Sequence, residues 1–183
     1  MAIDLHGPGL WYATRAAGLV TLLLLTASVL LGVLTAGRFS SDRWPRFLSV
    51  GLHRNISLLA GVFLALHVGT TVLDTFVSVP VTAVFVPFIS SYKTFWLGLG
   101  TIAADLLLAL LATSLLRSRL GHRSWRRVHW LAYACWPIGL AHGLGIGTDR
   151  ATTWVFGLTV GCAAAVAAAA TWRVVTAVRL GVR

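Results

Sequence analysis

The chain has 183 residues, of which 57% are hydrophobic and only 11% are charged. Soluble domains carry about 25% charged residues, so this composition excludes an ordinary soluble domain and indicates an integral membrane protein. The formal net charge is +10, but the basic residues are placed as in a membrane protein, and we expect no nucleic-acid partner.

Five apolar stretches are long enough to cross a membrane, which takes about 20 residues. They predict an all-α bundle of five transmembrane helices in one domain covering 1–183, with helices at about 10–34, 50–73, 94–116, 128–147 and 152–173. The first stretch lacks a basic leader and a clear cleavage site, so we expect it to remain as a helix. Cys135 and Cys162 lie inside these stretches and are expected to be small core residues.

The basic residues are divided unequally between the two sides of this bundle. Twelve lie on one side and three on the other: Arg38, Arg43, Arg46, Arg54, Arg117, Arg119, Arg123, Arg126, Arg127, Arg173, Arg179 and Arg183, against Arg15, Lys93 and Arg150. The positive-inside rule then predicts an outside N-terminus, an inside C-terminus, and second and fourth helices that both run outward. Such a basic inner side suits anionic lipid or an acidic partner. The Ala-, Leu-, Val- and Arg-rich composition indicates a bacterial cytoplasmic membrane protein with several spans.

Four histidines lie in the second and fourth predicted helices, near the ends of each: His53, His67, His129 and His142. An imidazole in hydrocarbon is costly unless it is paired or metal-bound, so these residues indicate function. Since both helices run the same way, His53 and His129 form an inner pair, and His67 and His142 form an outer pair about 20 Å away. Each pair could ligate one haem, and two stacked haems suit transmembrane electron transfer. The alternative is interhelical hydrogen bonding. A zinc site needs three or four clustered ligands, which two separate levels do not supply.

The helical phase supports this pairing in part. Fourteen residues leave His67 about 40° from His53, so both can face one partner. Thirteen residues leave His142 well off the face of His129 on a straight helix. We expect Pro137, which lies between them, to restore the phase through a kink or bulge.

Other residues fit a haem site or have a simpler explanation. Trp136 lies between the two levels, either against the haems or as a core residue. Asp105, in the middle of the third helix, either holds a ligating imidazole through a hydrogen bond or is protonated. Haem propionates need cations, and the candidates are Arg54, Arg126 and Arg127 at the inner level and Arg15, Lys93 and Arg150 at the outer level. Headgroup contacts would also explain the inner set.

The paired histidines, the segment from Trp125 to His129, the Ala-His142-Gly sequence and Arg15-x-x-Gly18 together resemble the ferric reductase-like transmembrane domain family. That family includes ferric reductases, NADPH oxidases and MsrQ-type haem-binding membrane subunits. The resemblance implies two haems b, one held by the inner pair and one by the outer pair, with electrons moving outward. It implies a role as an electron-transfer subunit of an oxidoreductase.

This chain differs from the larger members of that family. They continue into a cytoplasmic flavin and NADPH domain, whereas this chain ends about ten residues after its fifth predicted helix and has no Gly-rich dinucleotide motif. We expect no flavin site, so the donor would be a separate flavoprotein, a flavin or a quinol. The acceptor would be an extracytoplasmic protein, ferric iron or oxygen. The alternatives are a quinol-linked cytochrome b subunit and a non-catalytic haem-binding anchor of a larger complex.

Overall fold

A computed structural model describes residues 9–37, 39–75, 77–147 and 152–179. These residues form α1 (Gly9–Ala36), α2 (Arg46–Leu73), a 3-10 turn (Val81–Val84), α3 (Thr94–Leu115), α4 (Arg117–Leu120), α5 (His122–His129), α6 (Ala132–Ile146) and α7 (Thr153–Arg179). Within the described ranges there is no β-strand, and the predicted all-α class is confirmed. Arg38, Arg150 and Arg183 lie outside the described residues.

Two helix ends differ from the predicted ones, because the positions of proline and glycine near them were not taken into account. α2 begins at Arg46, directly after Pro45, four residues earlier than predicted. Proline fixes an extended backbone ahead of the helix, and at Pro45 ψ is 150°. α7 continues to Arg179, because the sequence after 173 contains neither glycine nor proline until Gly181.

Among the described residues, four helices are long and apolar enough to span a membrane: α1, α2, α3 and α7. The exposed side chains of α2 show most clearly that these helices require a lipid environment. Its only buried residues are Ser49 and Ala60, while its exposed side chains include Leu59, Val62 and Leu66. A helix whose apolar side chains face outward on several sides is stable in lipid, not in water. A multi-pass helical membrane protein follows from these exposures.

The segment predicted as one helix over 128–147 is two helices. α5 ends at His129, and α6 has 15 residues, a length of about 22 Å. Across the junction and in the first turn of α6, the backbone N–H groups of Leu131, Tyr133 and Ala134 donate hydrogen bonds to carbonyls three positions earlier. A 3-10 turn rotates the chain about 20° more per residue than an α-helix, which brings His142 back toward the face of His129. The phase changes before Pro137, which α6 includes without a break.

The helices associate as two closely packed antiparallel pairs, α1 with α2 and α3 with α6, and α7 lies against α1. Leu107 and Leu110 of α3 pack around the buried Cys135 of α6, and Cys162 of α7 is also buried. α2 carries His53 and His67, α5 carries His129 and α6 carries His142, and in the described chain α2 is not closely packed against either α5 or α6. The histidines therefore face each other across the space between the two helix pairs.

Candidate functional site

The four histidines form two facing pairs, as the sequence predicted. The ring centroids of His53 and His129 are 6.1 Å apart with their planes at 80°. The centroids of His67 and His142 are 6.3 Å apart with their planes at 81°. Fourteen residues of α2 separate the two levels, a distance of about 21 Å along the helix.

In the outer pair each imidazole donates its Nδ1–H to a backbone carbonyl oxygen. His67 donates to Thr14 of α1 at 2.7 Å, and His142 donates to Trp96 of α3 at 2.8 Å. A carbonyl oxygen only accepts, so both rings carry their proton on Nδ1 and have a lone pair on Nε2. Both Nε2 atoms therefore present lone pairs, on the side of the ring away from the bound carbonyl.

A glycine lies beside each of these carbonyls. A Cβ at Gly18 would be 3.0 Å from the His67 ring, and a Cβ at Gly100 would overlap the His142 ring. Each glycine follows the accepting residue by four positions, which is the spacing of an α-helical hydrogen bond, so the glycine lies directly beside the carbonyl oxygen. Because glycine has no Cβ, the imidazole can reach a carbonyl that already belongs to the helix.

His53 of the inner pair repeats this arrangement. Its Nδ1 donates to the carbonyl oxygen of Ser28 at 2.9 Å, and a Cβ at Gly32 would be 3.4 Å from its ring. Ser28 and Gly32 follow Thr14 and Gly18 by fourteen residues, the same interval that separates His53 from His67. The packed pair α1–α2 thus presents two equivalent imidazoles at two depths.

His129 is held differently. Its Nδ1 atom is buried and has no hydrogen-bond partner among the described residues. Its ring stacks instead on Trp125, with centroids 4.8 Å apart and planes at 26°.

The spacing of the pairs is compatible with a shared metal, and it also lies within the range of an edge-to-face contact between two rings. With about 2 Å for a metal–imidazole bond and about 1.1 Å from nitrogen to ring centroid, an iron between two imidazoles separates the centroids by about 6 Å. A direct hydrogen bond between the two nitrogens would bring the centroids about 1 Å closer. Two Nε2 lone pairs directed at each other in the outer pair would repel, unless an electron-pair acceptor or a bridging water lay between them.

The described residues contain no group of three or more His, Cys, Asp or Glu side chains that could hold a metal ion. A bare ion would therefore find only two protein ligands at either level. Haem would supply the remaining ligands of its iron itself, so one histidine pair would be enough to hold it. The donor set at each level would therefore be compatible with a haem.

A cavity of about 300 Å³ surrounds the outer pair, near the lower end of the range for ligand pockets. Arg15 lines this outer cavity, with its guanidinium 4.0 Å from the centre of the Trp11 ring. Lys93 donates from Nζ to the carbonyl oxygen of Ile146 at 3.1 Å, at the end of α6. Of the outer-level cations, Arg15 is the one that reaches the cavity wall, and Arg150 lies outside the described residues.

The remaining candidates are Arg54, Arg126, Arg127, Trp136 and Asp105. The three arginines are exposed. Trp136 is buried and donates its indole N–H to the Thr26 hydroxyl of α1 at 2.9 Å, so it bridges α6 and α1. In the described chain, no hydrogen bond joins Asp105 to any of the four imidazoles; backbone carbonyls accept from three of them.

The sequence reading missed the glycines and Trp125. A signal for the glycines was present: Gly18 and Gly32 recur at the fourteen-residue interval of the histidines. Trp125 was noted as the first residue of the Trp125–His129 segment of the resemblance, and not as a contact of His129.

Comparison with known proteins gives one result that bears on the whole site. A family model described as a domain of unknown function (DUF8596) matches residues 9–149. A search of curated proteins and a search of solved structures each find no match. The matched region includes all four histidines and most of the chain, so this protein belongs to the domain-of-unknown-function family DUF8596.

Proposed function

We propose that this protein is a transmembrane di-haem b cytochrome, which moves electrons from a cytoplasmic-side donor to an extracytoplasmic acceptor. The observation that carries the proposal is the pair of facing imidazole sets, 6.1 and 6.3 Å apart, at two depths of a helical bundle. Each bound haem would supply a one-electron redox centre. Two axial histidines would favour electron transfer over ligand binding.

Hydrogen bonds to backbone carbonyls would make three of the imidazoles better metal ligands. Donation of Nδ1–H to a carbonyl fixes the tautomer and the ring orientation, and it raises the basicity of Nε2. His53, His67 and His142 have this support. In these three side chains Nε2 would be left free to bind an iron.

The two levels are about 21 Å apart along α2, which suits a path that crosses the hydrocarbon core. The Trp136 indole lies in sequence between His129 and His142, and it is fixed by its hydrogen bond to Thr26. We expect it to fill the space between the two cofactors. At the outer level, Arg15 at the cavity wall is positioned to bind a propionate.

The topology proposed for this function has five crossings, with α5 and α6 acting together as the fourth. The N-terminus is outside, the C-terminus is inside, and the membrane is the bacterial cytoplasmic membrane. Arg54, Arg126 and Arg127 are then exposed at the inner surface, where they can meet propionates, anionic headgroups or an acidic donor protein. The resemblance to the ferric reductase-like transmembrane domain supports the same direction of electron flow.

The donor proposed is a separate flavoprotein, a flavin or a quinol, and the acceptor is a protein, ferric iron or oxygen. In this scheme the chain carries electrons between partners, and the substrate chemistry belongs to those partners. Lipid surrounds the helices.

The test is haem quantitation with a reduced-minus-oxidised spectrum on the detergent-purified protein, expressed with added haem. We expect two b-type haems per chain. Because the ring planes in each pair are 80° and 81° apart, both ferric centres should give highly anisotropic low-spin EPR signals. A folded, haem-supplied protein without haem would overturn the proposal and make the histidines structural.

A further inference from the structure

Three of the four histidines are held by the same arrangement, a backbone carbonyl with a nearby glycine, and the fourth is held differently. We call this carbonyl–glycine arrangement a device. His53, His67 and His142 each contact a carbonyl and a glycine four residues after it. On α3 this device is Trp96 with Gly100, at the outer level. One level further along α3, fourteen residues later, the equivalent positions are Leu110 and Ser114. Leu110 and Ser114 are therefore where a fourth device would be expected.

That fourth device is absent for His129. Ser114 has a side chain where a glycine would be needed, and the Leu110 carbonyl oxygen accepts from the Thr113 hydroxyl at 3.3 Å. His129 Nδ1 has no hydrogen-bond partner among the described residues. His129 is also the last residue of α5, so the helix continues on one side of it only. Something other than a carbonyl must hold this ring.

Trp125 contacts the His129 ring in place of the missing carbonyl and glycine. Its indole N–H donates to the Ser114 hydroxyl at 3.3 Å, which ties it to the α3 position expected for the missing glycine. Its ring stacks on His129, with centroids 4.8 Å apart. The Arg117 guanidinium lies 4.5 Å from the centre of the indole ring. The tryptophan thus touches α3, α4 and the ligand at once.

We propose that Trp125 is a positioning residue for His129, and that ring stacking performs at this one ligand the role that a backbone carbonyl performs at the other three. The inference rests on the proposed function, since it concerns an imidazole that ligates haem iron. It adds a property that the function alone does not require: the two levels have ligands of different character.

The difference has a physical consequence. A hydrogen bond to Nδ1 fixes rotation of the ring and makes the imidazole a stronger donor to the metal. Stacking limits the tilt of the His129 ring but leaves its Nδ1 unsupported. His53 and His129 would therefore hold an inner haem as one stronger and one weaker ligand, and the orientation of the His129 ring would depend on Trp125.

The experiment replaces Trp125 in the full chain in detergent. Trp125→Leu removes the stacked ring, Trp125→Phe restores an aromatic face without the indole N–H, and Trp130→Leu is the matched control. Trp130 is 58% exposed, five residues along the same segment, and its ring contacts Tyr133 instead of a ligand. The readouts are haem per chain, the EPR signals of the two ferric centres and their redox titration.

We expect W125L to lose at least half of the inner haem or to change its EPR signal and midpoint potential, with the outer haem unaltered. W125F should recover most of the inner haem, and W130L should match the wild type. Unchanged inner-haem signals in W125L would overturn the inference while leaving the di-haem function intact. Loss of both haems in W125L and W125F alike would also overturn it, because a structural role would then suffice. A wild-type chain without haem would instead be the failure of the proposed function.

Discussion

The outer and inner histidine pairs are supported in the same way on the α1–α2 side of the bundle and in different ways on the opposite side. On the α1–α2 side the two levels are equivalent, with Thr14 and Gly18 supporting His67 and Ser28 and Gly32 supporting His53. On the α3–α6 side the outer histidine has a carbonyl and a glycine. The inner one has a stacked tryptophan instead.

This difference shows what fixes an imidazole ring inside a helical bundle. Where two helices pack closely, a glycine lets the imidazole reach a carbonyl of the neighbouring helix. His129 lies at the end of α5, where the chain turns before α6, and the facing part of α3 has a serine. There the ring is held by another side chain. Backbone carbonyls therefore hold both imidazole rings of the outer pair, whereas one ring of the inner pair is held by a side chain.

The largest effect should come from removing a ligand. His67→Ala or His142→Ala should reduce two haems per chain to one and leave the inner haem, because one axial ligand is lost at one level only. His53→Ala or His129→Ala should do the reverse. Haem quantitation with redox titration distinguishes the two levels. Two haems retained in any of these variants would contradict the pairing.

A smaller but still large effect is expected at Gly100. A Cβ there would overlap the His142 ring, and such overpacking costs about 1–3 kcal/mol. Gly100→Ala should therefore lower occupancy of the outer haem and leave the inner haem. The control is Gly69→Ala, since a Cβ at Gly69 meets nothing within 4 Å. Equal outer-haem content in the two variants, measured by haem quantitation, would show that the close approach is not needed.

The matched glycines of α1 sharpen the comparison between levels. A Cβ would be 3.0 Å from the His67 ring at Gly18, but 3.4 Å from the His53 ring at Gly32. Gly18→Ala should therefore shift the midpoint potential of the outer haem more than Gly32→Ala shifts that of the inner haem. Redox titration of both variants measures the two shifts. A larger shift for Gly32→Ala would contradict the distances.

The smallest effect should come from the hydrogen bond between Trp136 and Thr26. Thr26→Val removes the acceptor, and interhelical hydrogen bonds in membranes contribute about 0.6 kcal/mol on average. We expect a slightly lower melting temperature with both haems retained. Thermal unfolding followed by haem absorbance measures it. Thr35→Val, on the same helix, is the control, because the Thr35 hydroxyl has no hydrogen-bond partner among the described residues. Loss of a haem in Thr26→Val would mean that Trp136 supports a ligand directly.

Much of the fold could be read from hydropathy. A stretch of about 20 apolar residues must form a helix in lipid, because every backbone polar group needs a partner inside the segment. α1, α2, α3 and α7 follow from that requirement. The break between α5 and α6 does not, since Trp130 and Leu131 are apolar and carry no turn signal. Sequence reasoning assigned the change of phase to Pro137, whereas the 3-10 turn before it rotates the chain.

The candidate site divides in the same way. The sequence by itself determined which four side chains pair and at which depths, because histidines in apolar helices are costly and helical spacing sets their heights. Only the tertiary structure decided how each ring is held. A hydrogen bond to the carbonyl of Thr14, Ser28 or Trp96 depends on which helix lies alongside the histidine and how closely it packs. Every residue has the same backbone carbonyl oxygen, so the residue type does not show which one accepts. The glycine pattern is visible in the sequence, but which carbonyl each imidazole reaches, and that Trp125 stacks on His129, depend on how the helices pack.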